Sequence, residues 1–188
     1  PVMAMCQAAS EPANRARVLG ELTAAFGMSF FFGIGSSPDN KNSDHSIAQI
    51  GQSGLGLPDR DYYFDDDKAE KRDLYKKHVA NMLHLLDPAT YSEETSASVS
   101  ELIYNLELDI AGSHMTKTEK RDPLKTYNKM SVSDLNDLCG GVFDFNTFFV
   151  SLGKADVGEI NVRNIESIKK IATVISSIDG ELIVHYLK

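Results

Sequence analysis

Gln52-Ser53-Gly54-Leu55-Gly56-Leu57-Pro58-Asp59-Arg60-Asp61-Tyr62-Tyr63 is the segment from which the architecture can be read. Pro58 fixes φ and removes a backbone donor, so a strand arriving from the N-terminal side ends here. Gly54 and Gly56 permit turn angles that other residues resist. Asp59 or Asp61 is placed to cap a helix that follows. Tyr62 and Tyr63 offer large apolar area with a polar tip. The reading is a structural corner between a strand pair and a helical region, for which this turn chemistry suffices. A sharper alternative gives Arg60 a direct substrate contact, which requires its side chain to face a cavity.

Upstream of the corner, residues from about Glu11 to Phe26 read as a helix. Pro12 suits a first helical position, Val18, Leu22 and Phe26 recur at helical spacing, and Gly27 supplies a stop. Met28 to Ile34 is aromatic-rich and too short for a helix, so it reads as a buried strand. Ser36 to Asp44 is a dense turn cluster, and Ser46 to Ile50 reads as a second strand. Together they predict a β-hairpin over about 28–52 with a long polar tip.

Downstream the chain turns helical. Tyr75, Val79, Met82 and Leu86 fall at i, i+4, i+7 and i+11, and Asp87-Pro88 ends that helix. A second helix starts near Thr90 to Ser92, with Thr90 and Glu93 spaced as a capping box and a stripe of Val99, Leu102, Ile103, Leu106 and Ile110. Two long helices joined by so short a link pack antiparallel. Lys117 to Lys129 reads as a charged loop. Ser131 and Asp134 then form a capping-box-like pair with a Met130/Leu135 staple, and the short helix ends at Gly140-Gly141. Asp144 caps a stripe of Phe145, Phe148, Phe149 and Leu152 closed by Gly153. Glu159 to Val162 is a brief extended link, and Asn164 caps a helix with Ile165, Ile168, Ala172 and Ile175 on one face. Asp179 to Lys188 opens a last helix along Leu182, Ile183, Tyr186 and Leu187. With no C-cap Gly or Pro after it, and Pro1 rather than Met at the start, the chain reads as a segment of a longer polypeptide. The sum is an α+β fold, mostly α: a helical lobe with one small β-hairpin, then helices from about 62 to 188.

Composition bounds function by exclusion. At 188 residues the chain is long enough to hide about 70% of its surface, leaving roughly 9,000 Å² exposed. Its net charge of −8 offers no basic footprint for nucleic acid or an anionic membrane. Lys68, Lys71, Arg72, Lys76 and Lys77 alternate with Asp65, Asp66, Asp67, Glu70 and Asp73, the pattern of a solvated helix face. No apolar run reaches the roughly 20 residues of a membrane span. Cys6 and Cys139 fit no zinc or C-x-x-C spacing, and a single disulfide or two free thiols suit them equally.

The familiar catalytic patterns do not occur. His45, His78, His84, His114 and His185 are never followed by Glu, and His78 and His84 lie on different faces, so no H-E-x-x-H zinc helix exists. His185 follows Glu181 by four, close enough for the two to meet, but half-buried or surface roles are the readings adopted for all five. Asn40, Asn42 and Asp44 begin like a calcium loop, yet His45 and Gly51 stand where Gly and Glu are required, leaving a solvated turn. Gly51, Gly54 and Gly56 do not make a phosphate cradle. An unrelated helical enzyme would have to build its site from residues such as Glu107, Arg121 or His114. No catalytic, metal-binding or cofactor-binding residue is assigned.

The segment 52–63 nevertheless resembles the signature of the neprilysin and endothelin-converting-enzyme family, in which a strand ending in Gln leads to Gly-Leu, Leu-Pro, one variable residue and Arg-Asp-Tyr-Tyr. Asp39-Asn40-Lys41-Asn42-Ser43 resembles that family's hairpin tip. Leu106-Glu107 with Ile110-Ala111, then Arg121-Asp122-Pro123 and Tyr127-Asn128-Lys129-Met130, resemble its helix-loop-helix stretch. The motifs are collinear, and the resemblance runs from about Arg17 to Lys188.

The resemblance implies the N-terminal domain of a two-lobed zinc metalloendopeptidase. The helical lobe caps a chamber that admits peptides, and a zinc-carrying C-terminal half of the same polypeptide holds the metal and the general base. This chain alone is then expected to be inactive and to hold no cofactor, with Zn in the full-length enzyme and peptides as substrates. The family further implies an extracytoplasmic location: a membrane-anchored ectodomain, secreted or periplasmic. The cysteine pair that vertebrate members carry after Tyr-Tyr is missing, because Phe64 and Asp73 occupy that region. The alternative is a non-catalytic peptide- or protein-interaction module derived from that lobe.

Overall fold

The computed structural model describes residues 2–188. Nine α-helices and one four-stranded sheet occur among them. Helix α1 is Val2–Ala8, and α2 is Arg15–Phe26, led in by a short 3-10 turn at Pro12–Asn14. Strands β1 (Phe32–Asp39) and β2 (Asn42–Gln52) form the hairpin. Helix α3 (Asp61–Phe64) opens the helical region, followed by α4 (Ala69–Leu86) and α5 (Glu93–Ala111). Then come β3 (Lys129–Ser131), α6 (Val132–Leu138), α7 (Phe145–Ser151), β4 (Glu159–Val162), α8 (Ile165–Ser177) and α9 (Gly180–Leu187).

The mostly-α, α+β expectation holds, with the sheet larger than one hairpin. Strand order is β1-β2-β4-β3; β2 pairs parallel with β4, and β4 antiparallel with β3. The extended link at 159–162 is therefore an inner strand. Four residues are too few to display a two-residue period, and Ile160, Asn161 and Val162 are all buried. The interior amide of Asn161 donates to Gln49 Oε1 (2.7 Å) and the Thr126 carbonyl (3.0 Å) and accepts from Asn128 N (2.7 Å). A buried polar side chain is tolerated when so fully bonded.

The hairpin also differs from expectation. Strand β1 begins at Phe32 rather than Met28 and runs through the polar cluster to Asp39, so the tip is only Asn40-Lys41. As β1 is an edge strand, its serines meet water and Pro38 withholds no ladder donor that matters. Helix α1 has no counterpart in the sequence reading. The cap of α5 is Ser92, accepting from Thr95 N at 3.2 Å, rather than Thr90. Asp87 Oδ1 draws the Ala89 and Thr90 amides into the preceding turn instead.

Other local expectations are met. Ser131 and Asp134 form a reciprocal capping box, and Asp144, Asn164 and Asp179 cap α7, α8 and α9. Helices α4 and α5 run antiparallel, since Tyr75 meets Glu107 while His84 meets Tyr91. The main core gathers Phe32, Phe143, Phe145 and Phe148 against α2 and α8, whose Ile168, Ile171, Ala172 and Ile175 are fully enclosed. Helices α2 and α7 approach so closely that a Cβ on Gly20 would lie 2.5 Å from the Phe148 carbonyl oxygen. Not every predicted stripe is covered: Phe26, Met82, Leu86 and Leu102 are exposed.

Candidate functional site

The motif residues converge on two polar clusters. The first lies where the hairpin hands over to the helices. Strand β2 ends at Gln52, six residues before Pro58, and Gly54 takes a φ of 90°. Asp59 Oδ1 accepts the Asp61 amide (2.9 Å), and the Tyr62 amide donates to the Asp59 carbonyl, closing one helical turn. Asp59 thus caps the turn, while the residue flanking α3 itself is Arg60.

Tyr63 is directed inward by that turn. Its hydroxyl accepts from Leu57 N (3.1 Å) and donates to Glu107 Oε2 (2.7 Å). Tyr75 of α4 donates to Glu107 Oε1 (2.8 Å), as does Gly56 N (3.1 Å). Glu107 is 2% exposed. Burial pushes its carboxyl up to about 7, and the three donors pull the other way. The tyrosine hydroxyls are held well above their usual range by burial and by the Glu107 charge. Gly56 has no room for a side chain, because a Cβ there would sit 2.6 Å from Tyr75 Cζ. Ile103, Glu107 and Ile110 share one helical face, so a lone acid on an apolar stripe was the sequence signal for this cluster.

The second cluster ties the hairpin tip to the loop before β3. Asp39 is buried, and it accepts from the Lys41 amide (2.9 Å), the Tyr127 hydroxyl (2.7 Å) and Lys129 Nζ (3.2 Å). Those donors, the Lys41 amide foremost, hold its carboxyl down to about 2. Lys129 also reaches Glu159 at 2.8 Å.

The remaining candidates are dispersed. Arg60 stands 3.6 Å from Asp61 and over the Phe64 ring at 5.1 Å; its Nε is buried with no partner among the described residues. His114 Nε2 lies 3.2 Å from the Ser53 carbonyl, and burial pushes its pKa down to about 4, leaving it neutral. Arg121 is exposed and its side chain makes no hydrogen bond or ion pair with either cluster. His185 Nδ1 pairs with Tyr91 OH (2.7 Å) rather than with Glu181, and His84 Nδ1 with the Tyr91 carbonyl (2.7 Å). His45 and His78 are exposed, and Asn42 and Asp44 lie in β2 rather than in a turn. Cys6 and Cys139 are free and buried; burial pushes the Cys139 thiol up to about 11. One residue escaped the sequence reading altogether. Arg15, 3% exposed, donates to the carbonyls of Ala9, Ser10, Ile175, Ser176 and Ile178, joining the N-terminal turn to the end of α8.

No group of three or more His, Cys, Asp or Glu side chains able to hold a metal ion occurs among the described residues. Glu107 faces only hydrogen-bond donors, and Asp39 an amide, a phenol and an ammonium. The donor sets present do not fit zinc.

The N-terminal model of peptidase family M13 (Peptidase_M13_N) matches residues 1–188. The chain belongs to peptidase family M13. Human endothelin-converting enzyme 1 is 30% identical over 170 residues, which are 88% of this chain and 22% of that protein. Neprilysin-11 of Caenorhabditis elegans is 28% identical over 175 residues, 86% of this chain and 20% of that protein. The crystal structure of the Mycobacterium tuberculosis zinc metalloprotease Zmp1 in complex with inhibitor superposes with a TM-score of 0.91 at 27% identity, covering 98% of this chain and 28% of that one. The M13 chain thus spans 20–28% of the length of these three relatives. In it the family-like motifs meet in pairs: the 52–63 corner closes on Glu107, and the hairpin tip closes on Tyr127 and Lys129.

Proposed function

We propose that this chain is the scaffold portion of the N-terminal lobe of a zinc metalloendopeptidase, and that the lobe walls a chamber restricting substrates to peptides. The observation that carries this reading is the match of the M13 N-terminal model to all 188 residues, together with the small share of each relative that the chain represents. The two polar clusters fit a structural role. Each satisfies its buried carboxylate with hydrogen-bond donors from separate motifs.

Zinc would be held by the remainder of the polypeptide, which is the chain's main partner. No step of peptide hydrolysis is assigned to residues 1–188. No helix among the described residues is long and apolar enough to cross a membrane, and an extracytoplasmic location is part of the proposal. The test compares substrates of different size on the full-length protein. A fluorogenic peptide should be cleaved and a stably folded protein carrying the same sequence in a tight loop should not; equal cleavage of both would remove the chamber from the account.

A further inference from the structure

Strands β1 and β2 turn Phe32, Ile34 and Ile50 toward the core. Side chains alternate along a strand, so Gly33, Gly35, Gln49 and Gly51 share the opposite face, where Gly33 pairs with Gly51 and Gly35 with Gln49. None of these three glycines has a positive φ. A Cβ would meet nothing closer than 3.7 Å at Gly33 or 3.8 Å at Gly51, and nothing within 4 Å at Gly35. Neither backbone conformation nor packing of the described residues therefore calls for glycine here. Glycine weakens a strand, and it often marks a place where a ligand or another backbone approaches closely. The glycine face is the floor of an open trough of about 420 Å³, walled by Met115, Lys120 and Thr126 of the loop before β3 and by Arg163 just after β4.

The walls are cationic in an acidic protein. The chain has 27 Asp and Glu against 19 Lys and Arg, yet no acid lines the trough. The stem of Arg163 lies over the floor, its Cδ 3.8 Å from where a Gly51 Cβ would stand. Neither the Arg163 guanidinium nor the Lys120 ammonium makes a hydrogen bond or ion pair among the described residues. Asp59, a carboxylate that the Lys120 charge reaches, is already held by Lys117 at 2.9 Å. The charges of Lys120 and Arg60 add to burial in keeping His114 neutral, one residue before Met115 of the wall. We propose that the trough binds an acidic peptide in extended conformation, its backbone against the glycine floor and its carboxylates on Arg163 and Lys120. A guanidinium matches the two oxygens of a carboxylate, and a floor without side chains lets a second backbone come close. The inference stands whether or not the remainder of the protein is a peptidase.

The test follows the fluorescence anisotropy of labelled Glu-Val-Glu-Val-Glu-Val and Lys-Val-Lys-Val-Lys-Val with the full-length protein, in chelator so that no cleavage intervenes. The acidic peptide should bind the more tightly, against the sign of the protein's net charge of −8. Arg163→Gln and Lys120→Gln should each weaken its binding by about 10-fold, the scale of a hydrogen bond to a charged group. Gly35→Val fills the trough with a side chain whose Cβ meets no atom of the described residues. That variant should melt at the wild-type temperature and lose the acidic peptide. Equal binding of the two peptides, or acidic-peptide binding indifferent to Gly35→Val or to both glutamine variants, overturns the inference. Displacement by inorganic phosphate at the concentration of unlabelled peptide that displaces also overturns it, by assigning the cations to a small anion. A lowered melting temperature in Gly35→Val overturns it as well, because the floor would then be covered by the protein's own chain.

Discussion

Replacing Glu107 by Gln changes how stability depends on pH, and the sign follows from the surroundings of the carboxyl. Burial raises it from an ordinary 4.5 to about 7 in the folded protein. Between those values the folded state holds a proton that the unfolded state has released, so stability falls as pH rises through the window. The span corresponds to about 3 kcal/mol at about 1.4 kcal/mol per tenfold change. His114 acts in the opposite sense. Its pKa drops from 6.5 to about 4, so the folded state binds fewer protons there and stability rises with pH, again by about 3 kcal/mol.

In the wild type the two slopes offset each other between pH 4.5 and 6.5. Glu107→Gln removes one of them and leaves a rising curve. At pH 4.5 the variant should lie within about 1 kcal/mol of wild type, since a neutral acid and an amide place similar demands on the Tyr63, Tyr75 and Gly56 donors. At pH 8 it should be the more stable protein by about 2–3 kcal/mol, or about 4–12 °C in Tm for a domain of this size. Urea titrations at half-unit pH steps read the difference curve directly. A variant less stable than wild type at pH 8 would show that the three donors outweigh burial, and the argument would fail.

Further outcomes follow from other contacts. Gly56→Ala should cost about 1–3 kcal/mol through overpacking against Tyr75, read by thermal melting. Arg15→Met should cost about 3 kcal/mol or more, because several buried carbonyls lose their donor; a loss below about 1 kcal/mol would contradict its role as the tie between α8 and the N-terminal turn. Asp39 lends stability that is present above its unfolded pKa and disappears as pH falls through about 2, so Asp39→Asn should flatten the acid limb of the unfolding curve. Cys6 and Cys139 should resist alkylation in the native protein and react together on unfolding, since both thiols are enclosed and raised in pKa.

How far the sequence reached depended on the range of the interaction. Caps at Ser131, Asp144 and Asn164 were legible because a cap depends on residues three positions apart. The corner at 52–63 was legible as a corner, and the motif resemblance pointed to the family. Strands β3 and β4 were not, because three- and four-residue strands exist only through partners far along the chain. The tip of the hairpin was misplaced for a related reason: a polar run on an edge strand looks like a loop. Glu107 was quoted only within the Leu106-Glu107 motif pair and as a residue an unrelated enzyme would need; its three donors arrive from residues 56, 63 and 75, which only the fold unites. The stripe of α4 was legible as helical spacing, but only part of it is covered: Met82 and Leu86 are exposed, because periodicity gives a helix its face without giving the face a neighbour.

The most direct test of the scaffold assignment is zinc content and peptide turnover measured side by side on the full-length protein and on purified residues 1–188. The account predicts about one zinc per full-length molecule with chelator-sensitive hydrolysis of a fluorogenic peptide, and neither zinc nor hydrolysis from residues 1–188. Stoichiometric zinc, or chelator-sensitive turnover, in the 188-residue chain would contradict it.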